Sequence, residues 1–87
     1  MPMVFVPVQL RELTGGLAEV EAAGATVRAL VRSLEGRFPG IEARLCREGE
    51  MSPSLQVSID GVLSRRGWDA PVQPASEVHF LPVFGGG

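Results

Sequence analysis

"GATVRALVRSLEGRFPG", residues 24–40, is the stretch that decides the fold. Val27, Leu30, Val31 and Leu34 recur at i, i+3, i+4 and i+7, and Phe38 continues the stripe. That spacing puts the apolar side chains on one face of a helix. Thr26 stands where a helix cap is wanted, while Gly36, Pro39 and Gly40 mark the stop. Arg28, Arg32 and Glu35 lie off the stripe. The stripe reads as a core face packed on a sheet rather than as a partner-binding helix, because the surrounding segments read mainly as strands.

Upstream, "MVFVPVQL" (3–10) alternates at Val4, Val6, Val8 and Leu10, which predicts a strand with one buried face. Pro7 points to an edge position or an amide outside the ladder. "RELTGG" (11–16) reads as a turn, with Gly15 and Gly16 supplying the permissive dihedrals. "LAEVEA" (17–22) reads as a short returning strand anchored by Leu17 and Val20, with a helical turn left open. Downstream, "IEARLCREGEMSPS" (41–54) predicts a short strand or turn and then a polar loop. "LQVSIDGVL" (55–63) alternates at Leu55, Val57 and Ile59 and meets Asp60-Gly61, a strong hairpin signal. "SRRGWDAPVQPAS" (64–76) is a long connection, and "EVHFLPVF" (77–84) is the last strand, with Val78 and Phe80 on one face and Pro82 ending the ladder. The expectation is an α+β β-grasp (ubiquitin-like) fold. A mixed sheet is covered by one main helix, with the first and last long strands at its centre. The domain spans residues 1–84, and 85–87 form a flexible glycine tail.

Composition narrows the function. The chain has 87 residues, 45% of them apolar, which is enough for one small core. A net charge of −2 argues against nucleic-acid binding and supplies no polybasic membrane signal. The N-terminus lacks the pattern of a signal peptide and no apolar run could span a membrane, so a cytoplasmic protein is expected. With one cysteine, Cys46, and one histidine, His79, neither an intrachain disulfide nor a thiolate metal cluster can form; no metal site is expected. All eight basic residues are arginine. A GC-rich genome accounts for that; it also suits a chain whose own C-terminus becomes an activated acyl group.

No active site can be assembled in the body. Asp60 before Gly61 reads as a turn residue rather than a catalyst. His79 sits on the strand face opposite Phe80, turned to solvent or a partner, with no nucleophile disposed to it. Cys46 lies near Arg44 and Arg47, which could lower its pKa if they are close in space, but an inert thiol is the simpler reading. Glu48 and Glu50 follow no ligand spacing and read as solvated loop. Trp68 reads as packing that holds its loop down. Arg65-Arg66 read as a solvated loop end rather than a docking pair. No phosphate-binding glycine motif is present.

The chemistry therefore falls on "HFLPVFGGG", residues 79–87. Gly85, Gly86 and Gly87 lack Cβ and fit a slot one backbone wide. ATP can turn a terminal carboxylate into an acyl-adenylate, and sulfur attack then leaves a thiocarboxylate.

These segments together resemble the ThiS/MoaD superfamily of ubiquitin-like sulfur carriers, and within it the small subunit of molybdopterin synthase. "VQLRELTGG" resembles the family's first strand and turn, "GATVRALVRSLEGRFPG" its helix, and "VSIDGVL" its later strand and turn, with Asp60 in place of asparagine. "SEVHFLPVFGGG" resembles the ending D-E-V-x-x-x-P-x-x-x-G-G. The departures are Ala75-Ser76 in the turn before the last strand and Gly85, which makes the glycines a triplet. The resemblance implies that Gly87 carries the carboxylate that is adenylated and thiolated, with Gly86 as its partner in the slot. Leu81, Pro82, Phe84 and Gly85 fall where the tail leaves the body and meets its partners. It further implies an E1-like adenylating enzyme that uses ATP and zinc, no cofactor held by this chain, and a second partner that accepts the sulfur. That partner is the molybdopterin synthase large subunit, or an acceptor for thiamine, cysteine or tRNA thiolation. A ubiquitin-like modifier joined to lysines and a plain protein-binding module are the alternatives.

Overall fold

The computed structural model describes residues 1–83. Its main sheet has five strands: β1 (Met3–Phe5), β2 (Glu19–Glu21), β5 (Leu55–Ile59), β6 (Val62–Ser64) and β7 (Glu77–Pro82), in the order β2-β1-β7-β5-β6. Only β1 and β7 are parallel, and they lie side by side at the middle of the sheet as expected. One face is covered by α1 (Val27–Arg37) and a short α2 (Ile41–Leu45). A two-stranded ribbon, β3 (Cys46–Arg47) with β4 (Glu50–Met51), follows α2. This is the β-grasp fold.

The helix stripe is the core. Val27, Leu30, Val31 and Leu34 are buried against Val4, Val20, Val57, Val78 and Phe80 from the sheet. Fully burying each such side chain is worth about 1.5–3 kcal/mol. Thr26 caps the helix, its hydroxyl accepting from the Ala29 amide at 3.2 Å. Gly36 does not stop the helix; it lies inside it, and the chain leaves the helix at Phe38. At the other end Gly24 has φ 154°, and a Cβ there would lie 2.8 Å from both the Ala29 Cβ and the Leu30 nitrogen. The chain passes so close to the first turn of α1 that only glycine fits.

Further expectations need correction. The first strand ends at Phe5, not residue 10. Pro7 takes it out of the ladder, and Val8–Thr14 form a 3-10 helix that absorbs most of the expected turn. Leu10 still reaches the core, but Val8 is 72% exposed. Pro7 does not mark an edge strand, since β1 is paired on both sides. Leu17 is exposed, and β2 is anchored by Val20 alone. Residues 41–45, expected as strand or turn, are helical. Their cap comes from upstream, because the Glu35 carboxylate accepts from the Gly40 amide at 3.0 Å and the Glu42 amide at 2.8 Å. Those bonds hold its carboxyl below the usual glutamate range.

The long connection is laced to the helix start. The Val27 amide donates to the Ala70 carbonyl and the Val72 amide to the Ala25 carbonyl. Trp68, in a 3-10 turn at Gly67–Asp69, is buried with Ala70 and Val72, the packing role expected of it.

Candidate functional site

The β7 strand carries the chain through the centre of the sheet and out at one end. Val78 and Phe80 point into the core; His79 and Leu81 point to the opposite, helix-free face. The ladder runs through Pro82, paired with Leu55, and the Val83 amide donates to the Ser54 carbonyl at 2.9 Å. Gln56 Nε2 donates to the Pro82 carbonyl at 3.4 Å. Backbone bonds thus hold the chain to its exit. Phe84, Gly85, Gly86 and Gly87, the expected sulfur-bearing end, lie outside the described residues, as does the expected boundary at residue 84. Leu81 and Val83, at 37% and 46% exposure, put apolar surface at the root of that segment.

An open groove of about 430 Å³ lies beside the exit, between the end of β7 and the 3-10 helix at Val8–Thr14. Phe5 and His79, register partners on β1 and β7, stack with ring centroids 4.0 Å apart and planes 4° from parallel. Together with Val8, Leu81 and Pro82 they wall the groove, and Arg11 enters it from the 3-10 helix. Arg11 Nε donates to the Val6 carbonyl at 3.0 Å, which fixes the guanidinium. Sequence reading missed Arg11 and Val8 because it placed them in a turn and a buried strand face. The 3-10 helix that turns both toward β7 has no periodic signature of its own.

The remaining candidates stay structural. Asp60 adopts φ 53° and Gly61 φ 86°, the left-handed pair a two-residue hairpin needs. The Asp60 carboxylate also accepts from the Ser76 hydroxyl at 2.8 Å and the Glu77 amide at 2.9 Å. These bonds, the amide's foremost, hold its pKa below the ordinary aspartate value. Cys46 is half-buried beside Arg28, Arg32, Glu42 and Trp68, in a small cavity on the helix side of the sheet. The sole histidine is on the other side of the sheet, so no imidazole stands by the thiol. Glu48 and Glu50 are exposed on the two-stranded ribbon, and Arg65 and Arg66 on the loop after β6. Among the described residues no three His, Cys, Asp or Glu side chains gather as a metal site. No helix there is long and apolar enough to cross a membrane.

The decisive comparison covers nearly the whole chain: the ThiS family pattern matches residues 4–87. The chain belongs to the ThiS family of ubiquitin-like sulfur carriers. It is 31% identical over 94 aligned residues to the sulfur carrier protein CysO of Mycobacterium tuberculosis, covering 97% of this chain and 96% of that one. Among solved structures it is similar to a chain of the Amycolatopsis orientalis BexX/CysO complex, with a TM-score of 0.92, 35% identity and 100% of both chains covered. It shares its fold with the small archaeal modifier protein 1 of Methanosarcina acetivorans, with a TM-score of 0.80 and 23% identity over 99% of this chain and 95% of that one. The curated relatives that match in sequence are CysO proteins. The expected kinship with the molybdopterin synthase subunit finds no support among them.

Proposed function

We propose that this ThiS-family carrier holds its sulfur as a thiocarboxylate on Gly87 and delivers it docked on partner proteins. The observation that carries this reading is the CysO likeness across the chain, joined to a strand inside the sheet that is followed in sequence by the three glycines. In the first step the Gly87 carboxylate attacks the α-phosphorus of ATP, giving an acyl-adenylate and releasing pyrophosphate. Sulfide, or a persulfide with a reductant, then attacks the acyl carbon and expels AMP. Both steps belong to an E1-like enzyme in the cytoplasm, which brings the ATP and the zinc. This chain contributes a tether without side chains and a rigid body to grip. The likeness to CysO favours an acceptor on the cysteine-forming side of the family. The molybdopterin synthase large subunit is the alternative.

Incubating the chain with its adenylating enzyme, ATP and a sulfur source should raise its intact mass by one oxygen-for-sulfur exchange. No gain with an enzyme shown to be active would overturn the reading. Deleting Gly87 should abolish the gain and leave the unfolding midpoint unchanged. For the acceptor, the loaded chain is offered to a cysteine-synthase-like enzyme and to the molybdopterin synthase large subunit. Sulfur loss to the first alone is the expected outcome.

A further inference from the structure

On the helix side of the sheet a cavity of about 110 Å³ lies between α1, α2, the two-stranded ribbon and the turn that carries Trp68. We infer that this cavity binds a small free α-amino acid. The ligand's carboxylate lies on the guanidinium pair of Arg28 and Arg32, its ammonium group on Glu42, and its side chain against Val31, Cys46 and Trp68. The site stands apart from the proposed thiocarboxylate chemistry, and neither reading needs the other.

Three observations carry it. The first is the charge pattern. Arg28 and Arg32 are one turn apart on α1, and both line the cavity. Like charges at that spacing repel each other in the free chain. Arg28 has only a long contact of 3.7 Å to Asp69, the two side chains being 41% and 74% exposed, and such a pair adds little. Among the described residues no carboxylate lies within ion-pair distance of Arg32. Two guanidinium forks side by side match a carboxylate. Glu42, from the first turn of α2, lines the same cavity and has no ion pair of its own among the described residues. A simple anion would face that carboxylate, and a simple cation would face both guanidiniums. A molecule that carries both charges close together satisfies all three side chains. The second observation is the rest of the wall. Val31 and Trp68 are 1% and 4% exposed and Cys46 is half-buried, so a short side chain meets apolar surface and a thiol. The Trp68 indole N–H has no acceptor among the described residues and is not sealed from water, which leaves it a donor to a ligand. The third is size. One water needs about 10–15 Å³, so the cavity has room for about seven, close to the number of heavy atoms in serine. A phenylalanine is too large.

The test uses three reporters the chain holds once each: Trp68 and Cys46 in the cavity wall, and His79 on the other side of the sheet. The full chain, isotopically labelled, is titrated with glycine, L-alanine and L-serine. At least one should move the Trp68 indole resonance saturably and leave the His79 imidazole in place, while L-phenylalanine should not bind. Acetate and ethylamine, which carry one charge each, should bind about tenfold or more weakly than that amino acid. Arg32 is exposed and Glu42 half-buried, so Arg32→Gln and Glu42→Gln should keep the wild-type unfolding midpoint. Each should weaken the amino acid about tenfold, and Glu42→Gln should not weaken acetate. The bound amino acid should also slow the alkylation of Cys46 by iodoacetamide severalfold. No saturable shift with any of the three amino acids overturns the proposal. So does acetate binding as tightly as the amino acid, which makes the cavity an anion site. A Cys46 that reacts at its full rate under saturating ligand puts the ligand elsewhere, and a His79 shift equal to that of Trp68 is a general salt effect; either overturns it. Unchanged affinity in the two folded variants does the same.

Discussion

The two faces of the main sheet are one residue apart along every strand and differ in almost everything else. Across the inner face run Val20, Val4, Val78, Ile59 and Val62, in register from β2 to β6. Three of them, Val20, Val4 and Val78, are at most 4% exposed. The adjacent row on the outer face is Glu19, Phe5, His79, Ser58 and Leu63. It mixes charge, a stacked aromatic pair and a leucine that is 56% exposed. The same backbone ladder serves both rows, so the difference lies in the side chains alone. Burial is concentrated on the helix side, beneath the helices.

The hardest blow to that contrast is a matched pair of truncations. Leu30→Ala removes a fully buried side chain and should cost about 2–5 kcal/mol in urea unfolding. Leu63→Ala, on the outer row, should stay within about 0.5 kcal/mol. Equal costs would mean that the outer face also packs against something in the free chain. A smaller loss is expected at the helix entrance. Gly24→Ala forces a Cβ to 2.8 Å from two atoms of the first turn at φ 154°, which should cost about 1–3 kcal/mol. Thr26→Ala, which removes only the cap bond, should cost about 1 kcal/mol. If Gly24→Ala proved milder than Thr26→Ala, the close approach would not be what fixes the helix on the inner face.

How well the sequence could be read follows the same division. Rows packed on the core carry a period, so the helix stripe, the Asp60-Gly61 hairpin and the Val78–Phe80 face were legible from spacing. Where non-local bonds decide, the period misleads. Val8 continues the alternation of Val4 and Val6, yet Pro7 ends the ladder and turns Val8 outward. The α2 segment has no cap beside it, because Glu35 reaches over Pro39 and Gly40 to supply one. The glycine end was read on a different ground: its proposed chemistry needs a carboxylate and the absence of side chains, both features of the string itself. The groove was not legible, since it pairs Val8 and Arg11 with His79 and Leu81 from the far end of the chain.

The mildest effect expected is one that only acid reveals, at the hairpin where the two faces meet. Asp60 stands where the resembling proteins carry asparagine, and Ser76 lies in the turn that departs from their pattern. The structure joins these two departures: the Ser76 hydroxyl and the Glu77 amide both donate to the Asp60 carboxylate. Because those bonds favour the charged form, the folded pKa lies below the ordinary value of about 3.9. The carboxylate's contribution is then fully present above the unfolded value and is lost as pH falls through the folded one. Asp60→Asn keeps the left-handed turn but offers one acceptor oxygen in place of two. It should be less stable than wild type at pH 7, and the gap should close on acidification. Glu35, whose pKa is also lowered, loses its own contribution in both proteins, so subtracting the two pH profiles isolates Asp60. A gap unchanged from neutral pH to well below the folded pKa would mean that the hairpin is held by its backbone geometry, with no help from the carboxylate's charge.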